Sequence, residues 1–172
     1  ASIGAAIGKS DNSIYCIIGD GGLQMNIQEF QTIFNYELPI KIILINNKSY
    51  GMIKQFQDQY FESRYIGTES KRNDYSCPNF TDVAKAYKLE TFEITQNNYK
   101  EGINHMINNK KSCFYNVFIN PDQKIYPKLT YGNSLENMYP FVSNEDLKNN
   151  MMVDPIEKIS PNKWGWILNI NQ

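Results

Sequence analysis

Ile14-Tyr15-Cys16-Ile17-Ile18 runs straight into Gly19-Asp20-Gly21-Gly22, an apolar stretch ending on an acidic glycine turn. The next segment places Leu23, Ile27, Phe30 and Phe34 at i, i+4, i+7 and i+11, one face of a helix predicted over residues 22–36. A second apolar run, Ile40 to Ile45, ends at Asn46-Asn47, so Gly-Asp-Gly is followed by 24 residues and then the asparagine pair. Strand, turn, helix, strand and polar turn in that order make a βαβ crossover. Its two strands must lie parallel, with both turns at the carboxyl edge of the sheet.

The chemistry of that edge follows from charge. A helix starting near Gly22 directs free N–H groups outward, which suits a phosphate. Asp20 shares the same mouth and would repel a bare phosphate. A divalent cation between them removes the conflict: magnesium takes one or two protein oxygens and completes its shell with phosphate and water. Asp20 offers a carboxylate, Asn47 an amide oxygen and Ser49 a backbone carbonyl. Glycines at 19, 21 and 22 let a ligand approach the backbone closely. The predicted occupant is a metal-bridged diphosphate.

These residues resemble the thiamine diphosphate motif of thiamine-dependent enzymes, and the acetolactate synthase catalytic subunit in particular. The likeness continues through Gln24-Met25-Asn26-Ile27-Gln28-Glu29, Leu38-Pro39-Ile40, Lys48-Ser49-Tyr50-Gly51-Met52, Gln55-Phe56-Gln57 and Pro78-Asn79-Phe80, over roughly residues 1 to 120. It implies a three-layer αβα fold around a mainly parallel sheet, truncated at its amino terminus. It implies thiamine diphosphate and Mg2+ as cofactors, held by Gly19, Asp20, Gly21, Gly22, Asn47, Tyr50, Gly51, Met52 and Ile53. Asp20, Asn47 and Ser49 are the implied metal ligands. Phe56 stands in the substrate channel, where these synthases usually carry tryptophan. The resemblance leaves room for FAD in the full-length parent. It places the glutamate that activates the cofactor in another domain of a partner subunit, so no catalytic residue is assigned within this chain.

The implied reaction is decarboxylation of a 2-keto acid, with pyruvate as donor, and transfer of the two-carbon unit to a carbonyl acceptor. A decarboxylase or oxidase using the same anchor, or a non-catalytic cofactor-binding or assembly domain, are the alternatives. The expected assembly is a homodimer or tetramer of the full-length protein.

Composition sets bounds on this reading. The chain has 172 residues, 41% hydrophobic and 20% charged, with net charge −1 and no basic stripe, which gives no footprint for nucleic acid. No apolar run approaches the ~20 residues of a membrane span. Cys16, Cys77 and Cys113 are odd in number and far apart. That spacing argues against disulfides or a zinc site and fits a cytoplasmic location. The opening Ala1-Ser2-Ile3 reads as mid-helix, the start of a carboxyl-terminal piece of a larger protein.

Gly8-Lys9-Ser10 imitates the end of a P-loop, but Ile3 stands where that motif needs glycine. Further helices are expected over 50–61 (with Ile53, Phe56, Gln57 and Tyr60 on one side), after the cap Asn79, over 98–108 (with Tyr99, Ile103, Met106 and Ile107 inward) and over 144–150, capped by Ser143. Strands are expected over 89–94 and 114–119. The polar stretch 62–78 reads either as a surface loop or, by the resemblance, as a cover for the site. His105, the single histidine, is expected on the surface. Residues 1–120 are expected to form the cofactor domain. Residues 121–172 form a Pro-containing tail in which Trp164 and Trp166 either dock on a neighbour or pack locally.

Overall fold

The computed structural model describes residues 1–8, 13–70, 74–130 and 133–156. They fall into two compact units, Ala1–Lys124 and Ile125–Gln172. In chain order the first unit contains α1 (Ser2–Gly8), β1 (Ile14–Gly19), α2 (Asp20–Gln24), α3 (Glu29–Asn35), β2 (Ile40–Asn46), α4 (Gly51–Tyr60), α5 (Phe80–Ala86), β3 (Glu90–Ile94), α6 (Tyr99–Asn108) and β4 (Cys113–Phe118). The four strands form one sheet in the order β1-β2-β4-β3, and every pair is parallel. Ile14 lies beside Ile40 and Gly19 beside Ile45, so β1 and β2 end together and deliver Asp20 and Asn47 to one rim.

Alternation along β2 divides the core in two. Ile40, Ile42 and Leu44 pack with Phe114 under Ala6 of α1, Leu23 of α2, Phe30 and Ile33 of α3, and Phe80 and Ala84 of α5. Phe30 sits edge-on to Phe114 and Tyr87, at centroid distances of 5.6 and 5.8 Å. On the opposite face Cys113, Tyr115 and Ile94 pack with Phe92, Val117 and Met106 of α6. Helices thus lie on both sides of the sheet. Coverage of the second face is incomplete: Tyr15 and Ile17 of β1 remain 48% and 70% exposed.

Several details depart from the sequence expectation. The helix expected over 22–36 is two short helices, and the turn between them is closed by i→i−3 bonds at Asn26, Glu29, Phe30 and Gln31. Each residue in such a tight turn advances the helix by about 120° instead of about 100°. The apolar face therefore rotates, Ile33 takes the buried place, and Phe34 is left partly exposed beside Lys88.

In α4 the buried residue is Lys54, while Ile53 and Phe56 face outward. The Lys54 ammonium pairs with Glu69 at 2.9 Å and Asp122 at 2.6 Å. Burial opposes its charge, yet the bonds to Asp122 and Glu69 outweigh that and hold its ionisation above the ordinary lysine value.

In α6, Tyr99, Ile103 and Ile107 are exposed and Gly102 is buried. A Cβ on Gly102 would come within 2.6 Å of Ile94, so glycine is what lets this helix sit close on β3.

The cap at Asn79 forms as expected, its side chain accepting from the Thr81 N–H at 3.1 Å. The second unit contains α7 (Asn144–Asn150), capped by Ser143, and an antiparallel bridge between Lys128 and Tyr139. Trp164 and Trp166 lie outside the described residues, as do Lys9 and Ser10 of the P-loop-like sequence.

Candidate functional site

The site is assembled at the rim where β1 and β2 end. Asp20 begins α2 and is buried to 2% exposure. A carboxylate so placed must be satisfied by donors. Its Oδ1 accepts from the Gly21 N–H at 2.7 Å and its Oδ2 from the Ser49 N–H at 3.2 Å. The second bond needs the chain to double back after β2. Lys48 does this with a left-handed backbone (φ 52°), which costs a non-glycine residue about 1 kcal/mol. The turn is then fixed from outside: Ser49 Oγ donates to Thr68 O at 2.7 Å, and Thr68 O also accepts from the Tyr50 N–H at 3.0 Å.

Asn47 completes the group. With its amide nitrogen turned inward it donates to Asp20 Oδ2 at 3.3 Å and to Ser49 O at 2.8 Å. With the amide reversed, Oδ1 accepts from the Ser49 N–H at 3.3 Å. In that orientation the Asn47 oxygen lies 3.3 Å from Asp20 Oδ2 and 2.8 Å from the Ser49 carbonyl, and only the shared Ser49 N–H offsets their repulsion. A small cation among the three oxygens would remove it. Octahedral magnesium with bonds of ~2.0–2.1 Å sets adjacent oxygens roughly 3 Å apart, the spacing found here. The donor set fits a magnesium ion.

Glycine is required at two positions of this rim. A Cβ on Gly21 would lie 2.1 Å from the Tyr50 ring, and one on Gly51 would lie 2.6 Å from the Asn47 amide nitrogen. Tyr50 also packs on Tyr75, with centroids 4.5 Å apart. Gly19 and Gly22 flank the turn as the sequence placed them. Met52 and Ile53 lie in the first turn of α4 but are 65% and 51% exposed. Phe56 is partly exposed and packs, with its ring tilted, against Tyr60, centroids 4.6 Å apart.

Residues of the polar stretch 62–78 reach the rim in a way no periodicity announced. Thr68, Glu69 and Tyr75 are buried, and Ser49 and Glu69 form an antiparallel bridge. Burial, and then the Asp20 charge, push the Tyr75 phenol well above its ordinary range, so it faces the site protonated. Its buried hydroxyl is without a hydrogen-bond partner among the described residues. Burial and the Asp20 charge also raise the Cys77 thiol, against a smaller opposite effect of Lys48. A cavity of about 490 Å³ borders the rim through Asn46, Lys48 and Tyr75 and extends to Glu93 and Asn116.

The Asn46 amide donates to the Asn116 side chain at 3.1 Å. Asn116 donates to Thr81 Oγ1 at 3.0 Å, and Thr81 to Glu93 at 2.7 Å. The link runs strand to strand, across side chains 70 positions apart.

Fold and site together define a domain that presents a carboxylate and an amide at the carboxyl rim of a parallel sheet. The fold is shared with a Rhodococcus jostii RHA1 thiamine diphosphate-dependent 4-hydroxybenzoylformate decarboxylase. The TM-score is 0.62 at 20% identity, covering 72% of this chain and 23% of that one.

Residues 1–117 match the family model of the thiamine pyrophosphate enzyme, C-terminal TPP binding domain, and the chain belongs to that family. It is 31% identical to the acetolactate synthase isozyme 3 large subunit of Escherichia coli (strain K12), over 81% of this chain and 24% of the relative. It is 32% identical to the acetolactate synthase large subunit of Cyanidium caldarium, over 80% of this chain and 23% of the relative. The chain thus spans about a quarter of the length of the curated relatives it matches. Among the described residues no helix is long and apolar enough to cross a membrane.

Proposed function

We propose that this chain is the cofactor-binding part of an acetolactate synthase-like enzyme. That enzyme decarboxylates a 2-keto acid, with pyruvate as donor, and passes the two-carbon unit to a carbonyl acceptor. The observation that carries this reading is the convergence of Asp20, Asn47 and the Ser49 carbonyl on one point of the rim. In this reading these three hold Mg2+, and Gly19, Gly21 and Gly22 admit a diphosphate against the backbone. Tyr50 and Gly51 shape the wall beside it, and Met52 and Ile53 face the rest of the cofactor. When bound, thiamine diphosphate supplies the electron sink that lets a 2-keto acid lose carbon dioxide. Phe56 borders the path of the second substrate.

The exposed apolar side chains of Met52, Ile53 and Phe56 support a site completed by another part of the assembly. A homodimer or tetramer of the full-length protein would cover them and bring the activating glutamate. FAD, where the parent carries it, would bind outside this chain. Residues 1–120 serve as the cofactor domain and 121–172 as its tail.

The test is calorimetric binding of thiamine diphosphate, with and without Mg2+, to the full-length protein and to Asp20→Ala. Loss of a direct metal ligand is expected to weaken binding by at least ~100-fold, the upper end of what outer-sphere partners cost. Equal affinity in the two proteins overturns the metal bridge. Product analysis with pyruvate then separates a carbon–carbon bonded product from free aldehyde or acetate, which would assign the reaction to a decarboxylase or oxidase.

A further inference from the structure

At the opposite end of the sheet, where β3 and β4 begin, three metal-ligating side chains from three different elements converge. Glu90 opens β3, Cys113 opens β4 beside it in register, and His105 comes from α6. A carboxylate oxygen, a ring nitrogen and the thiol sulfur all lie within 4.8 Å of one another. We propose that Glu90, His105 and Cys113 form a divalent-metal site of the zinc class. This goes beyond the proposed function, which makes no use of them.

The geometry supports it in several ways. His105 Nε2 is 3.3 Å from Glu90 Oε1, close to the roughly 3.4 Å edge of a tetrahedron whose bonds are ~2.0–2.1 Å long. The other ring nitrogen, Nδ1, lies 3.0 Å from the buried Tyr115 hydroxyl. A partner there fixes the ring and leaves Nε2 for the ion, the usual outer-sphere arrangement of a metal-bound histidine. Phe92 lies along the imidazole at a centroid distance of 4.9 Å and holds its plane.

The thiol sulfur comes from the interior, whereas Glu90 and His105 open to solvent, so the site has an anchored side and an entry path. One thiolate, one imidazole and one carboxylate form a borderline-soft set that suits zinc or cobalt(II) better than magnesium, with water in the fourth position. On binding, the thiol proton leaves to solvent and the sulfur lone pair goes to the metal.

One lysine opposes the ion. Lys41 lies beside Cys113 in the register, fully buried and without a hydrogen-bond partner among the described residues, and burial holds its ionisation below the ordinary lysine value. This opposition gives a discriminating variant. Lys41→Met removes that amine, and whatever positive charge it keeps, without touching a ligand and should tighten metal binding, an effect that an unrelated surface site would not show.

The experiment titrates the chelator-stripped full-length protein with Co2+ and then with Zn2+. Expected is a one-to-one thiolate-to-cobalt charge-transfer band with the visible intensity of a tetrahedral ion, displaced by Zn2+, and a melting temperature raised by Zn2+. Cys113→Ser should abolish the band. Glu90→Gln, at a half-exposed position that does not threaten folding, should weaken binding by at least ~10-fold, and Tyr115→Phe by about 10-fold. Asp20→Ala should leave the band unchanged. The site is overturned by absence of the charge-transfer band. It is equally overturned if the band keeps its affinity in Glu90→Gln, or if Lys41→Met fails to tighten binding. Failure of thiamine diphosphate binding at the other rim would leave these readouts untouched.

Discussion

The two faces of the sheet differ in what covers them. On one, Ile40, Ile42, Leu44 and Phe114 disappear beneath four helices. On the other, α6 covers β3 and β4, while Tyr15 and Ile17 of β1 stay open. In sequence Ile14-Tyr15-Cys16-Ile17-Ile18 is apolar at every position, the pattern of a strand buried on both sides. The difference teaches that a strand's composition records a need for cover on each face and is silent about which part of the molecule provides it.

The strongest way to break this comparison is a matched pair of truncations. Leu44→Ala removes a fully buried side chain and should cost about 3 kcal/mol or more in chemical unfolding. Ile17→Ala should cost less than about 0.5 kcal/mol. Similar losses in the two would mean that the open face is packed in solution.

Next in size is Lys54→Met, which removes a buried cation paired with Glu69 and Asp122 and should cost about 3 kcal/mol. A neutral result would show that α4 does not depend on its buried cation. Asn116→Ala cuts the link between β2 and β4 by removing both of its amide bonds, and should cost about 1–2 kcal/mol.

The smallest effect is a pH dependence. Burial would raise the Asp58 carboxyl, but bonds from Tyr65, Lys124 and Ser63 outweigh it and hold the group below its ordinary value of 3.8. A depressed value means that the unfolded chain binds the proton more readily. The contribution of Asp58 is therefore complete above pH 3.8 and lost as pH falls through the folded value. Asp58→Asn should flatten the acid limb of the stability curve and leave the alkaline limb unchanged. An unaltered acid limb would remove Asp58 from the account.

Much of the fold was legible because its signals are local. The two apolar runs, the glycine turn between them and the caps at Asn79 and Ser143 each depend on neighbours within a few residues. The approach of Asp20 to Asn47 was legible for a different reason: parallel strands of matched length must end at the same rim. The phase of α3 was missed because a few i→i−3 bonds rotate a helix by most of a residue, and Asn26 and Gln28 gave no sign of them. The burial of Lys54 was missed because its partners lie 15 and 68 positions away, at Glu69 and Asp122. Tyr75 was missed because the stretch carrying it has no period.

Sequence alone therefore determined the βαβ order, the rim at which its turns meet, and the oxygen donors that Asp20, Asn47 and Ser49 offer there. Each of these follows from chain connectivity and residue chemistry. Only the tertiary structure decided which apolar side chains found cover and which polar ones were buried with partners. It also placed Glu90, His105 and Cys113 within reach of one another, although the spacing of the three cysteines had argued against a zinc site. Packing sums interactions between residues far apart in sequence, and no local pattern carries that sum.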